Sequence, residues 1–419
     1  MANTYVTPTW VLKEVARLLV PNLKFASNVE RSYDDRFQAG GAKVGYTIYA
    51  RLPQRFRVTT GQAFQPQAIN DATVPVSITD QINVGTSFST ADSTMIVEDV
   101  RKRYVMPAAE ALAADIDRKG LERMWPYVYQ TVGTPGTTPS SNLTFLQAGV
   151  KLTDSNCPEN GRVAMLDPLT AATMANANGA TFFNPQLALS DIWKNGQIAG
   201  KWMGYDSVYQ TQNVATRTTG SFTTATPLIN GGGDTGSTIK TDGWASGATN
   251  LKKGDVLQIA GVYSINPLTF QSTGRLQDFV VTADTSDSTA AIAALPISPS
   301  IYTTATAPAG TAPTVSDLPA NDAKIYVNGS TITTGSGALT AAVSPQSLVY
   351  HPEAFILAVA DLDSALPGAE VSRVSSKQLN VALRFVQQYN AMTDQKASRI
   401  DGLIGWSIFR PELACRVQG

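Results

Sequence analysis

Between Thr211 and Pro345 helical periodicity disappears, and short apolar runs separated by turn residues replace it. This change constrains the fold more than any other feature. A stretch rich in Thr, Ser, Gly and Ala and sparse in charge has no continuous stripe with which to build a helical core. The runs Val256–Ala260, Gln277–Thr282, Lys324–Val327 and Thr331–Thr334 read as strands, separated by Gly, Asn or Asp turns. Short strands so closely spaced favour an antiparallel barrel or sandwich. The sharpest unit is Asn250–Asn266. There Gly254-Asp255 is a turn dipeptide, Val256–Ala260 a strand, and Gly261 is expected to close it. The tip Gly231-Gly232-Gly233-Asp234-Thr235-Gly236 has no packing capacity and is expected to project into solvent.

The flanking chain reads differently. Thr9–Leu19 predicts a short amphipathic helix, capped by Thr9 and stopped by Pro21, with Val11, Leu12, Val15, Leu18 and Leu19 at helical spacing. Lys43–Arg51 and Thr73–Ser89 alternate apolar and polar residues and read as two strands. The connection between them is too polar and too broken by Pro and Gly to form a core. Asp92–Tyr129 is the longest helical pattern, about 35 residues or roughly 50 Å. Its stripe is Val105, Ala109, Leu112, Ile116 and Met124; Arg101, Lys102, Arg103, Asp115, Asp117, Arg118 and Lys119 fall largely elsewhere, and Pro107 is expected to kink it. After Pro345, Ser347–Ala360, Leu379–Tyr389 and Gly402–Phe409 read as buried strands.

A chain of 419 residues has room for two or three domains, and 43% hydrophobic residues exclude general disorder. Only 16% of residues are charged, against roughly 25% in an average soluble domain. Uncharged polar surface costs less to desolvate than ions and suits broad subunit contacts. The net charge of −1 excludes a strongly basic nucleic-acid binder, but the charge is uneven. Residues 1–60 carry nine basic and four acidic side chains, whereas 211–345 carry six basic and eight acidic. Opposite local signs suit self-association through complementary patches. Two distant cysteines, Cys157 and Cys415, argue for a reducing compartment and against a disulfide framework. No signal peptide and no membrane span is expected, so the sequons at Asn142 and Asn328 carry no meaning.

The residues predict no catalysis, no cofactor and no metal. His351 is the single histidine and has no partner motif. Neither cysteine has a plausible base. Gly196–Lys201, GQIAGK, is one residue short of a phosphate loop and is followed by Trp202, not by Ser or Thr. Metal sites lack histidine and cysteine ligands, and no aspartate cluster has calcium-loop spacing.

Three local patterns, in order, carry a family resemblance. They are the turn Phe182-Phe183-Asn184-Pro185; the steps Gly196-Gln197-Ile198 and Gly204-Tyr205-Asp206 within Asp191–Val214; and the strand unit Asn250–Asn266 with Val262-Tyr263 and Asn266-Pro267. The chain thereby resembles the major capsid (coat) proteins of tailed phages of the P22 type. The resemblance implies an α+β subunit of the Hong Kong ninety-seven capsid fold with an inserted antiparallel β-barrel. The expected divisions are an N-terminal arm at 1–37, an extended loop and flanking strands at 38–91, and a spine helix of the peripheral domain at 92–130. The first axial and peripheral part follows at 131–210, the inserted barrel at 211–345, and the second axial and peripheral part at 346–419.

The same resemblance implies self-assembly as pentamers and hexamers into an icosahedral shell, with a scaffolding protein, a portal protein and packaged double-stranded DNA as partners. Location in the virion after assembly in the host cytoplasm follows. A loop near the Gly-rich tip is expected to cross to a neighbouring capsomer, which makes Asp234 a candidate contact. In the arm after residue 50, Arg51, Arg55 and Arg57 alternate with Leu52, Phe56 and Val58, so an extended backbone puts the three guanidiniums on one face. They are expected to seek carboxylates on an adjacent subunit, with packaged DNA phosphates as the competing target. The Thr- and Gly-rich β content alone also fits a tail or fibre adhesin; a helical spine with an upstream arm favours the shell.

Overall fold

The computed structural model describes residues 8–31, 47–58, 61, 66, 72–89, 105–181, 201–247, 249–286, 289–308, 311–332, 336–363, 366, 368–376 and 381–419. The turn Phe182–Pro185, the Gly196-Gln197-Ile198 step and Arg101, Lys102 and Arg103 lie outside the described residues. The chain forms two compact units. One comprises Met1–Ala50, Val74–Leu121 and Phe355–Ser407; the other comprises Arg51–Thr73, Glu122–Ala354 and Ile408–Gly419.

In the first unit, α1 (Pro8–Asn22) buries Leu12, Val15, Ala16 and Leu19 against the strands Glu370–Ser376 and Val381–Asn390. Pro21 does not stop the helix before it, as the sequence suggested, but sits inside its last turn. The Asn22 side chain donates to the Leu18 carbonyl at 3.1 Å, satisfying an acceptor that the helix end leaves open. α2 (Met106–Met124) buries the predicted stripe residues Ala109, Leu112, Ile116 and Met124, and Val105, just before it, is buried as well. Pro107 occupies the first turn, where a missing N–H loses no helical bond. The helix ends at Met124, short of Tyr129, because Pro126 turns the chain into the single turn Trp125–Tyr127. At 19 residues it is about 28 Å long.

The main departure on α2 is Asp117, which the periodicity placed off the apolar stripe. It is 3% exposed. Its Oδ2 accepts the N–H groups of Lys24 (2.8 Å) and Phe25 (3.1 Å), and its Oδ1 that of Ala26 (2.9 Å). Burial raises its pKa, opposed by those three bonds and by the Lys24 charge. The carboxylate thus fixes the segment after α1. It sets Phe25 against Trp406, stacked at 5.1 Å, and against Phe355 at 5.7 Å. Gly120 makes this approach possible: a Cβ there would lie 2.6 Å from the Trp406 ring.

The sheet of this unit runs in the order Phe355–Ala360, Gln395–Ile408, Val381–Asn390, Glu370–Ser376, with Asp80–Ser89 also paired to Gln395–Ile408. Thr73–Ser89 is therefore not one strand. It breaks at Ile78-Thr79, because Thr73–Ser77 pairs with Thr47–Arg51 and Asp80–Ser89 with a different partner. Buried Asp401 binds Arg384 through two bonds of 3.0 and 2.6 Å and accepts from Gln81 at 3.0 Å.

In the second unit a mixed sheet has the order Thr131–Val132, Ala414–Gln418, Val343–Tyr350, Val163–Leu166, Ser207–Gln210. Its strands come from both sides of the 211–345 stretch. α3 (Asn142–Asp154), with Ser141 as N-cap, buries Phe145, Ala148 and Leu152; α4 (Pro168–Thr181) lies beside it. Thr216–Thr218 pairs with residues 343–345, so the two ends of the stretch run side by side. The expected run Ser347–Ala360 is interrupted by the turn Pro352–Ala354, since His351-Pro352 withdraws a backbone donor.

A six-stranded antiparallel sheet fills most of 211–345, in the order Ile325–Val327, Val256–Ile265, Ser272–Val281, Ile292–Ile301, Gly236–Asp242, Leu228–Ile229. Bonds from Ile229 N to Ala323 O and from Ile325 N to Pro227 O, both 3.0 Å, join its first and last strands. It encloses its own apolar cluster, which includes Phe222, Trp244, Leu257, Ile259, Phe279, Leu295 and Ile325. Gly261 does not close its strand. With φ at +81° it sits in a bulge where the residues between Gln258 and Tyr263 (259–262) oppose Gln277 alone, and the strand continues to Ile265. Thr331 and Ile332 are not in a strand, because the turn at Asn328–Ser330 has already released the chain; 333–334 lie outside the described residues.

Asp117→Ala would leave three backbone donors without an acceptor and is expected to cost about 3 kcal/mol or more. Asp117→Asn, which keeps one acceptor oxygen, is expected to cost less. Urea unfolding followed by tryptophan fluorescence measures both, and a wild-type midpoint for the alanine variant would contradict this role.

Candidate functional site

The strand Thr47–Arg51 gives way to residues 52–58 without regular secondary structure, and Arg51, Arg55 and Arg57 are all exposed. The alternating apolar residues are not turned into a core: Phe56 is 58% and Val58 is 85% exposed. Arg55 finds a carboxylate within its own chain, donating from Nη2 to Glu412 Oε1 at 2.8 Å. Glu412 also accepts from Arg410 Nε at 3.2 Å, and Arg410 reaches Glu353 at 2.9 Å. A groove of about 630 Å³ runs alongside, lined among others by Arg55, Arg57, Phe270, Pro308 and Phe409.

Where the six-stranded sheet meets the rest of its unit, polar groups concentrate. Asp278, 4% exposed, receives the Lys151 ammonium of α3, the Thr131 N–H at 3.2 Å and the Gln258 amide at 2.6 Å. Lys151 also donates to the Thr131 carbonyl at 2.7 Å. Burial is the largest single influence and opposes the charged ammonium, but the Asp278 charge, Cys415 and the hydrogen bond to Asp278 together outweigh it, and the Lys151 pKa is raised. Arg275 and Asp154 form a second ion pair across the same junction, beside a cavity of about 170 Å³.

A third group is built around Trp125. The guanidiniums of Arg217 and Arg416 lie 5.8 and 5.7 Å from its ring centroid. Gly254, at φ +91°, presses so close that a Cβ would sit 2.2 Å from the indole. Asp255 is not an ordinary exposed turn residue. It is 2% exposed and accepts from Arg217 Nη1 at 2.8 Å, from Gly220 N at 3.1 Å and from Lys252 N at 2.8 Å. Arg416 is fully buried, and desolvation lowers its pKa to about 9. It donates to Gly254 O at 2.9 Å and to Gln346 Oε1 at 3.3 Å. Sequence reasoning missed Asp278, Asp255 and Arg416 as a group. The one legible signal was a charge inside each apolar run.

Other predicted positions are locally engaged. Asp234 accepts from Lys240 N at 2.9 Å and pairs with its ammonium at 3.3 Å. The Gly-rich tip is exposed, yet it is tied down by Gly231 N to Asn321 Oδ1 and Gly233 N to Pro319 O, each 2.8 Å. In the Gly204-Tyr205-Asp206 step, Tyr205 is buried and donates to Phe145 O at 2.8 Å, while Asp206 receives the Gly161 N–H and Lys201. Lys201 is the only described residue of the GQIAGK segment. His351 is half-buried, and burial lowers its pKa. Cys157 and Cys415 are buried free thiols; burial pushes Cys415 up to about 12. Among the described residues no group of three His, Cys, Asp or Glu is placed to hold a metal, and no helix is long and apolar enough to cross a membrane.

A family model described as P22 coat protein, gene protein 5, matches residues 9–418. No curated protein matches the chain. Among solved structures it is similar to one from Mycobacterium phage Che8, at 12% identity and a TM-score of 0.47, covering 94% of this chain and 90% of that one. The capsid of Ralstonia phage GP4 is similar at 9% identity and a TM-score of 0.41, covering 93% and 86%. The CUS-3 coat protein I-domain matches at 23% identity and a TM-score of 0.19, covering 26% of this chain and 96% of that one. With every score below 0.5, assignment to a family rests on the family model.

Asp278→Ala is expected to destabilise by about 2–3 kcal/mol, because it strands a largely buried ammonium, a backbone N–H and an amide. Combined replacement Lys151→Met with Asp278→Leu is expected to recover part of that loss. A double-mutant cycle by chemical denaturation measures the coupling; additive costs would mean that the pair does not act as a unit.

Proposed function

Because the chain belongs to the P22 coat protein family and is a major capsid protein of a phage shell, we propose that it works as a Hong Kong ninety-seven-type subunit braced by an inserted β-barrel at 211–345. The observation that carries this reading is the six-stranded sheet whose first and last strands are hydrogen-bonded to each other around a private apolar cluster. Its two chain ends leave together through the pair Thr216–Thr218 and 343–345. A module whose ends adjoin can interrupt another fold with little loop cost. On this reading α2 belongs to the spine helix of the peripheral domain, residues 51–72 to the extended loop, and the mixed sheet with its strands from both sides of the insert to the axial domain.

The family implies self-assembly into an icosahedral shell in the virion and a structural role. Many weak, repeated contacts acting together would hold such a lattice. We extend this to a scaffolding protein and a portal during assembly in the host cytoplasm, and to double-stranded DNA facing the inner surface. Arg51, Arg57 and Asp234 are proposed contacts to neighbouring subunits. Arg55 is proposed to orient the arm through Glu412, leaving Phe56 and Val58 outward for a neighbour. Exposed pairs contribute only about 0.2–1 kcal/mol each, but the shell repeats them.

Electron microscopy of the purified chain is expected to show closed shells; fibres or permanent monomers would sink the capsid reading. Arg51→Ala, Arg55→Ala and Arg57→Ala together are expected to leave folded subunits that form fewer or salt-fragile shells. Unchanged shells with unchanged salt tolerance would remove the arm from the contact. A fragment of residues 211–345 is expected to give a β-type circular dichroism spectrum and a cooperative melt; a featureless spectrum would mean that the insert does not fold alone.

A further inference from the structure

Two helices of the second unit share a surface without charge. Thr131–Val150, which includes most of α3, contains no Asp, Glu, Lys or Arg, and α4 contains none either, in a chain that is 16% charged. The ionisable residues at the end of α3 turn away from this surface: Lys151 to Asp278 and Asp154 to Arg275. What remains outward is uncharged, with Gln147 and Asn176 as its exposed polar side chains and an aliphatic stripe beside them. Leu143, Leu146 and Val150 follow one another at helical spacing and are 58%, 46% and 41% exposed. α3 already has a filled inner face of Phe145, Ala148 and Leu152, so this stripe is a second apolar face, not an edge of the core. Thr173 Oγ1 of α4 donates to Pro139 O at 3.0 Å, just before α3. One turn earlier on α4, Leu169 is 59% exposed.

We propose that the charge-free face of α3 and α4, centred on Leu143, Leu146 and Leu169, packs against the same face of a second copy of this chain. The inference rests on the capsid reading, which supplies many copies, but no family property selects this face. Its chemistry selects the occupant. DNA would call for cations, and the face has none. A partner held by charge complementarity would find no ion within either helix along this face; Asp167, just before α4, is taken up by the Leu169 and Thr170 N–H groups. An equivalent copy is the case in which charge at the centre of the face is most harmful, because residues near the two-fold axis of a symmetric contact meet their own counterparts and any unfavourable pair occurs twice. A face stripped of ions and carrying four exposed aliphatic side chains meets that requirement, and apolar area removed from water drives the contact.

The test uses the full chain with Leu146→Asp and with Leu146→Lys. Leu146 faces water in the subunit, so circular dichroism and melting of both variants are expected to match the wild type. Each variant alone is expected to lose shell formation by about tenfold or more, since like charges then oppose across the contact. Mixed in equal amounts, the two are expected to co-assemble, because unlike charges now meet. Misfolding cannot produce that recovery. Should either fail to fold, Val150→Asp and Val150→Lys repeat the test one turn along α3. Wild-type assembly by the single variants overturns the proposal, whatever else the face then binds. So does a mixture that assembles no better than its parts. Failure of the wild-type chain to form shells in the same buffer would instead count against the capsid reading.

Discussion

The arrangement of the second unit depends on one contact: the turn Gly254-Asp255 seated against Trp125. This turn leads into the strand Val256–Ile265 of the six-stranded sheet, whereas Trp125 follows α2. Gly254 allows the approach because it has no Cβ and because its φ is positive. Asp255 then neutralises Arg217 and receives two backbone donors, so a buried carboxylate is fully occupied where a lone one would be prohibitive. Arg416 reaches the same turn from the last strand. Four segments far apart in sequence, at 125, 217–220, 252–255 and 416, therefore meet at one indole. Losing any one would strand a buried charge or donor of another.

The second link, through Asp278, Lys151, Asp154 and Arg275, has a different character. It is partly open to solvent and adjoins a cavity. Such contacts weaken with salt, whereas the Trp125 cluster is shielded from it. The six-stranded sheet is thus held within its unit by a dry point of attachment and a wetter one.

The first unit solves a parallel problem with Asp117. The segment after α1 has no strand partner of its own at residues 24–26, and three consecutive N–H groups would be buried unpaired. One carboxylate from α2 takes all three. The segment is thereby fixed by hydrogen bonding and by Phe25 against Trp406, not by secondary structure.

Sequence alone determined the local character of the chain. The 3.6-residue stripe of α1 and α2, the strands around 256, 277 and 325, and the β-only nature of 211–345 were all legible, because periodicity and turn chemistry are local properties. Ile292–Ile301 was missed, since Pro296 and Pro299 disguise a strand that only its neighbours stabilise. Strand breaks at Ile78 and His351 and the bulge at Gly261 depend on which partner is paired, and pairing is non-local. The same holds for Asp117, Asp255, Asp278 and Arg416. In sequence each is one more charged residue; which of them is buried, and against which opposite charge, is decided by segments up to hundreds of residues away. Tertiary structure alone also supplied a carboxylate for Arg55 from its own chain, and left Leu143, Leu146 and Leu169 facing outward together.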